Sequence, residues 1–105
     1  MPNKGLKTLS ENMKIIFKDT FISRLERQID YISRDSPSRA RKFKDELLAS
    51  IRAISSNPFR HRKSIYFNDH HIRDLIFKGY TIVFRIKPDT IEVFGFVNYQ
   101  NSPTD

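Results

Sequence analysis

The spacing of hydrophobic positions changes twice along this chain. Met1 to Asn12 show neither helical nor strand periodicity and read as a flexible extension, with Met13 as an alternative start. From Met13 to Lys18 the residues alternate, with Met13, Ile15 and Phe17 on one side and Lys14, Ile16 and Lys18 on the other, the pattern of a short strand. Helical spacing follows: Ile22, Leu25, Ile29 and Ile32 form one apolar stripe, and Asp19 or Thr20 offers a side-chain oxygen to cap the first turn. Asp35-Ser36-Pro37 breaks this helix and begins another, with Ser36 as cap and Pro37 in the first helical position, where its missing N–H costs nothing. Ala40, Phe43, Leu47, Ile51 and Ile54, widened by Leu48, carry the second stripe as far as Asn57-Pro58. So short a connection predicts an antiparallel helical hairpin.

Phe59 to His71 is a polar connection, after which the period becomes 2. Ile72 to Phe77, Tyr80 to Lys87 and Ile91 to Asn98 read as strands joined by tight turns at Lys78-Gly79 and Pro88-Asp89. Uninterrupted pairing sets Ile86 against Ile91, Phe84 against Val93, Ile82 against Gly95 and Tyr80 against Val97, an apolar face for the helices to cover. The opposite face then holds Thr81, Val83 and Arg85 beside Glu92, Phe94 and Phe96, and a one-residue slip exchanges the two sets. The expected fold is α+β: a strand, a helical hairpin packed on one sheet face, then a three-stranded antiparallel meander, with the first strand joining the sheet.

At 105 residues the chain suits one core, assigned to 13–105. No apolar run approaches the roughly 18 residues that cross a bilayer, and the first residues lack the apolar stretch of a signal peptide, so no membrane role and a cytoplasmic location are expected. Without cysteine there is no disulfide, thiol nucleophile or thiolate metal site. The net charge of +7 changes the picture more, because it points to anionic partners. Between Arg34 and Lys63 nine Arg and Lys face three Asp and Glu, so almost all of the excess lies there. It is either an ordinary solvated helix face or an electrostatic footprint for an acidic protein or nucleic acid.

Five local sequences in order carry a resemblance: Ile29-Asp30-Tyr31-Ile32-Ser33-Arg34-Asp35-Ser36-Pro37, Ala40-Arg41-Lys42-Phe43, Asn57-Pro58, Ile72-Arg73-Asp74-Leu75, and Gly79-Tyr80-Thr81-Ile82-Val83-Phe84-Arg85-Ile86. From Met13 to about Asn98 the chain resembles the RelE/ParE toxin superfamily. The resemblance implies a growth-inhibiting toxin of a type II toxin–antitoxin system, of the kind associated with plasmid stabilisation, silenced by a cognate acidic antitoxin that wraps it. ParE-like members poison DNA gyrase, whereas RelE-like members cut mRNA on the ribosome, and fold alone does not choose between them.

Metal-free RNA cleavage needs a base for the 2′-OH, cations around the phosphate and an acid for the leaving oxygen. RelE-like nucleases are similar at Gly79-Tyr80 but usually carry an arginine next, where this chain has Thr81. They also carry a basic residue or histidine after the last strand and often a tyrosine in a C-terminal helix. Here the chain reads Asn98, Tyr99, Gln100 and Asn101. The resemblance therefore favours the gyrase-directed mode. The alternatives are a metal-independent, ribosome-dependent endoribonuclease with Arg73, Arg85 and Tyr99 as catalytic candidates, and a degenerate toxin kept for partner binding. Arg60, Arg62, Lys63 and Arg73 are the candidate target-binding cations, although Arg85 has a competing role as cross-strand partner of Glu92. No cofactor is implied. Adjacent His70 and His71 lack metal-site spacing and read as a solvated loop, and Tyr80 reads as a core aromatic. Phe94 and Phe96, expected on the uncovered face, are the antitoxin anchors, with Arg41 and Lys44 accelerating encounter.

Overall fold

Two helices cover one face of a single sheet. The computed structural model describes residues 13–98. The predicted extension Met1 to Asn12 and the candidate Tyr99 lie outside them. Elements run β1 (Lys14–Phe17), α1 (Asp19–Asp35), α2 (Pro37–Arg52), β2 (Arg62–Lys63), β3 (Ile72–Phe77), β4 (Tyr80–Ile86) and β5 (Thr90–Asn98), with 3₁₀ turns at Ala53–Ser56 and Pro58–Arg60. The sheet order is β1-β5-β4-β3-β2, with β1 parallel to β5 and the remaining pairs antiparallel. This is the expected α+β order, with the short β2 added inside the predicted polar connection.

Ser36 ends α1 and caps α2. Extended at φ −155° and ψ 105°, as the residue before a proline prefers, it accepts a hydrogen bond from the Arg39 amide (3.2 Å) through its hydroxyl. The start of α1 differs from expectation, because Lys18 occupies the cap position and supplies no side-chain bond. The Thr20 hydroxyl instead donates to the Phe94 carbonyl (2.9 Å), tying the first turn to β5. The α1 stripe is also rotated: Phe21 is buried and Ile22 is exposed, since Phe21 meets both Phe17 and Phe96.

The β3–β4 hairpin closes through Lys78 (φ 48°) and Gly79 (φ 85°), the two positive φ values of a type I′ turn. Between β4 and β5 the expected register holds from Ile86↔Ile91 to Phe84↔Val93, and then Val83 pairs with Gly95. Phe94 is the extra residue of a β-bulge. Beyond it the partners are Ile82↔Phe96, Thr81↔Val97 and Tyr80↔Asn98, a one-residue change from uninterrupted pairing. Phe96 therefore turns into the core with Phe21, Tyr80 and Ile82, and its predicted place on the uncovered face is corrected.

Gly95 is required by this register. A Cβ there would lie 2.9 Å from Val83 Cβ and 3.0 Å from its Cγ2, and a β-branched side chain has no flexible end to withdraw. Gly95→Ala should destabilise the fold by about 1–3 kcal/mol. Val83→Ala removes the obstructing methyl groups, so the double variant should be less destabilised than the sum of the singles, as measured by denaturant unfolding in a double-mutant cycle.

Candidate interaction surfaces

Arg73 is 9% exposed and faces the helix side of the sheet edge. Its Nε donates to the His70 carbonyl (2.9 Å), and its Nη1 donates to the carbonyls of His61 (2.9 Å) and Phe59 (3.3 Å). Nη2 lies 3.0 Å from His70 Nδ1, and the guanidinium sits 5.0 Å from the centre of the Phe59 ring. Phe59 in turn stacks on His70. The candidate target-binding and catalytic cation Arg73 is thus engaged by three main-chain carbonyls, for which a planar five-donor group is well shaped. His70, exposed in a turn as expected, also takes part in this cluster. His61, edge-on to Phe84, is held by burial, and then by Arg60, below its ordinary pKa.

Arg62 donates from Nε to Asp74 Oδ2 (3.1 Å), and the Ile65 amide donates to the same oxygen (3.1 Å). Asp74 lies on the face away from the helices, fully buried beneath Ser64 to Phe67, where it is paired by Arg62 and hydrogen-bonded at one oxygen. This part of the connection is not simply polar: it folds over the second sheet face, with Phe67 edge-on to Phe94 at 5.6 Å between centroids. Arg85 stands over the Phe94 ring (5.0 Å) and donates to Glu92 (3.3 Å), its competing cross-strand role. Phe94 is thereby half-buried on the predicted face. Thr81, on the same face, has no solvent exposure, and among the described residues its hydroxyl has no hydrogen-bond partner. Tyr80 is in the core, where Gln28 Nε2 donates to its hydroxyl (3.0 Å), and burial raises its pKa.

Other predicted cations remain at the surface. Arg60 and Lys63 are exposed within the connection, and Arg41 and Lys44 are exposed on α2. Lys44 borders an apolar groove lined with Phe17, Ile22, Leu25 and Leu48. Sequence reading missed Arg24 and Arg27, which rise from α1 over a polar cleft of about 370 Å³ that also includes Thr20, Gln28, Phe96 and Asn98. An exposed i, i+3 arginine pair was visible in the sequence; the strand beneath it was not. Among the described residues no helix is long and apolar enough to cross a membrane.

Comparison with known proteins decides the family. Residues 15–100 match the ParE toxin of the type II toxin-antitoxin system parDE. The chain belongs to the ParE toxin family. A solved structure described as the chromosomal ParDE TA system from P. aeruginosa has a similar fold, with TM-score 0.67 and 14% identity over 84% of this chain and 97% of that one. No curated protein matches. Membership supports the superfamily resemblance and places this toxin in a type II toxin–antitoxin system.

Two outcomes test the charge chemistry of this ParE-family chain. Arg73→Ala strands three carbonyls and should cost about 2–4 kcal/mol, with faster amide exchange across 59–71. Lys87 donates to Glu92 (3.0 Å), and this bond, assisted by Arg85, holds the Glu92 carboxyl below its ordinary value of 4.5. A carboxyl lowered in the folded state contributes stability above its unfolded pKa and loses it as pH falls through the folded value. Glu92→Gln should therefore melt below the parent at neutral pH, with the gap closing as the solution is acidified past 4.5.

Proposed function

We propose that this ParE-family toxin inhibits growth by poisoning DNA gyrase, acts without cutting RNA, and is neutralised by a cognate acidic antitoxin. The observation that carries the non-nucleolytic reading is the use of the candidate phosphate clamps inside the fold. Arg73 holds carbonyls, Arg85 is shared between Glu92 and Phe94, and Arg62 is paired with Asp74. Thr81, where related nucleases usually carry an arginine, is enclosed. Among the described residues these side chains do not converge on one open site with a base and an acid, as phosphodiester cleavage requires. Family membership supports gyrase as the target and an antitoxin as the silencing partner.

In this reading Arg60 and Lys63 are target-facing cations, while Phe94, Arg41 and Lys44 serve antitoxin docking. The exposed charges act mainly on encounter, because solvated rim charges change association rate more than residence time. Purified toxin should inhibit supercoiling by gyrase and accumulate cleaved DNA, and should leave purified RNA intact. Inactivity against gyrase together with mRNA cleavage in a translating extract would replace this reading with the ribosome-dependent one. Activity in neither assay, with antitoxin binding retained, would leave a partner-binding protein.

A further inference from the structure

We propose that the polar cleft between α1 and the end of β5 binds a small phosphate monoester, a nucleoside 5′-monophosphate whose phosphate sits on Arg24 and Arg27 and whose base packs against Tyr31. On the two helices Arg34, Arg39 and Lys42 each have a carboxylate partner four residues away, Asp30, Asp35 and Glu46 respectively. Arg24 and Arg27 have none at that spacing, where the chain places Thr20 and Gln28 around the first and Ser23 and Tyr31 around the second. Asp30, three residues from Arg27, is taken by Arg34. Two exposed guanidinium groups thus share one helical turn. Among the described residues neither forms an ion pair and no carboxylate lines the cleft. Like charges so placed destabilise a helix, a cost that a bound anion removes.

The arginine pair selects a phosphate monoester among anions. At neutral pH such a group carries close to two negative charges and three acceptor oxygens, enough for both arginines, whereas a carboxylate or an internal phosphodiester carries one charge. The Ser23 hydroxyl on the same lip adds a donor. The floor is set before any ligand arrives, since Phe96 stacks on Tyr80 with centroids 5.2 Å apart, Gln28 holds the Tyr80 hydroxyl, and the Thr20 hydroxyl is bonded to the Phe94 carbonyl. At about 370 Å³ the cleft is near the small end of ligand sites, a size that suits one nucleotide. Tyr31 is the reason to expect an attached base. It lies one turn beyond Arg27 on the same stripe, within electrostatic reach of Tyr80, and is 66% exposed. An aromatic ring left open beside a phosphate site is a stacking surface that any nucleobase can use. The inference goes beyond the proposed function and does not depend on gyrase as the target.

The test titrates the full chain, labelled for NMR, with adenosine 5′-monophosphate, adenosine and inorganic phosphate. The monophosphate should shift the Arg24 and Arg27 side-chain signals and the Tyr31 ring. Adenosine should leave the arginines unmoved, and inorganic phosphate should act at the arginines alone, about fivefold more weakly than the nucleotide. Arg24→Ala with Arg27→Ala should weaken nucleotide binding about tenfold. Tyr31→Ala should weaken it about fivefold and leave inorganic phosphate binding unchanged, a division that a merely structural role would not produce. All three side chains are exposed, and a melting temperature equal to the parent's will confirm that the variants fold. Should a variant melt lower, the contrast between nucleotide and adenosine on the parent chain still decides. Adenosine binding as tightly as its monophosphate, inorganic phosphate matching the nucleotide, or a thymidine oligonucleotide without terminal phosphate displacing it would each overturn the inference, as would no shift at millimolar nucleotide. None of these outcomes bears on gyrase inhibition, so failure here is distinguishable from failure of the proposed target.

Discussion

Between Val93 and Gly95, β5 carries one residue more than β4, and the placement of side chains on both sheet faces depends on that bulge. Phe94 and Phe96 are two positions apart and would share a face in an unbroken strand. With the extra residue between them, Phe96 packs under α1 while Phe94 faces Arg85 and Phe67. The same irregularity brings Gly95 against Val83 too closely for any side chain. It also turns the Phe94 carbonyl toward Thr20, so the site where the ladder is disturbed is where α1 is fastened to the sheet.

The connection from Phe59 to His71 is held by charge rather than by an apolar core of its own. Arg73 gathers carbonyls on the helix side of the edge, and Arg62 with Asp74 pins the chain on the other face. Both arginines work because each guanidinium offers several directed donors to groups whose hydrogen bonds would otherwise be lost. Among the described residues Asp74 Oδ1 has no partner, which makes the bond from Arg62 to the other oxygen the more consequential. A loop fastened at two points can present Ile65, Tyr66 and Phe67 at the surface while its main chain stays ordered.

The arginines and lysines consequently divide into two groups. Arg62, Arg73, Arg85 and Lys87 cross-link the fold, whereas exposed cations such as Arg41, Lys44 and Lys63 carry much of the excess positive charge into solvent, where it acts at long range on anionic partners. Composition reports the sum of the two groups and cannot separate them. The separation matters for a ParE-family toxin, since a cation held by carbonyls or a carboxylate is not available to hold a phosphate.

Sequence alone determined the element order, the Ser36-Pro37 break, both hairpin turns and the burial of Tyr80, because each depends on local spacing or on residues adjacent in the chain. It also carried the Arg85–Glu92 pair, which lies on the hairpin side of the bulge, where counting from the turn remains valid. Phe96 was misplaced because a bulge adds a residue without any change of period that sequence would reveal; Gly95 marks the spot only once Val83 is known to oppose it. The partners of Arg73, the covering of Thr81 and the cleft beneath Arg24 and Arg27 were decided by tertiary structure. Each depends on segments far apart in the chain being brought within hydrogen-bond or van der Waals reach, and hydrophobic spacing carries no record of those distances.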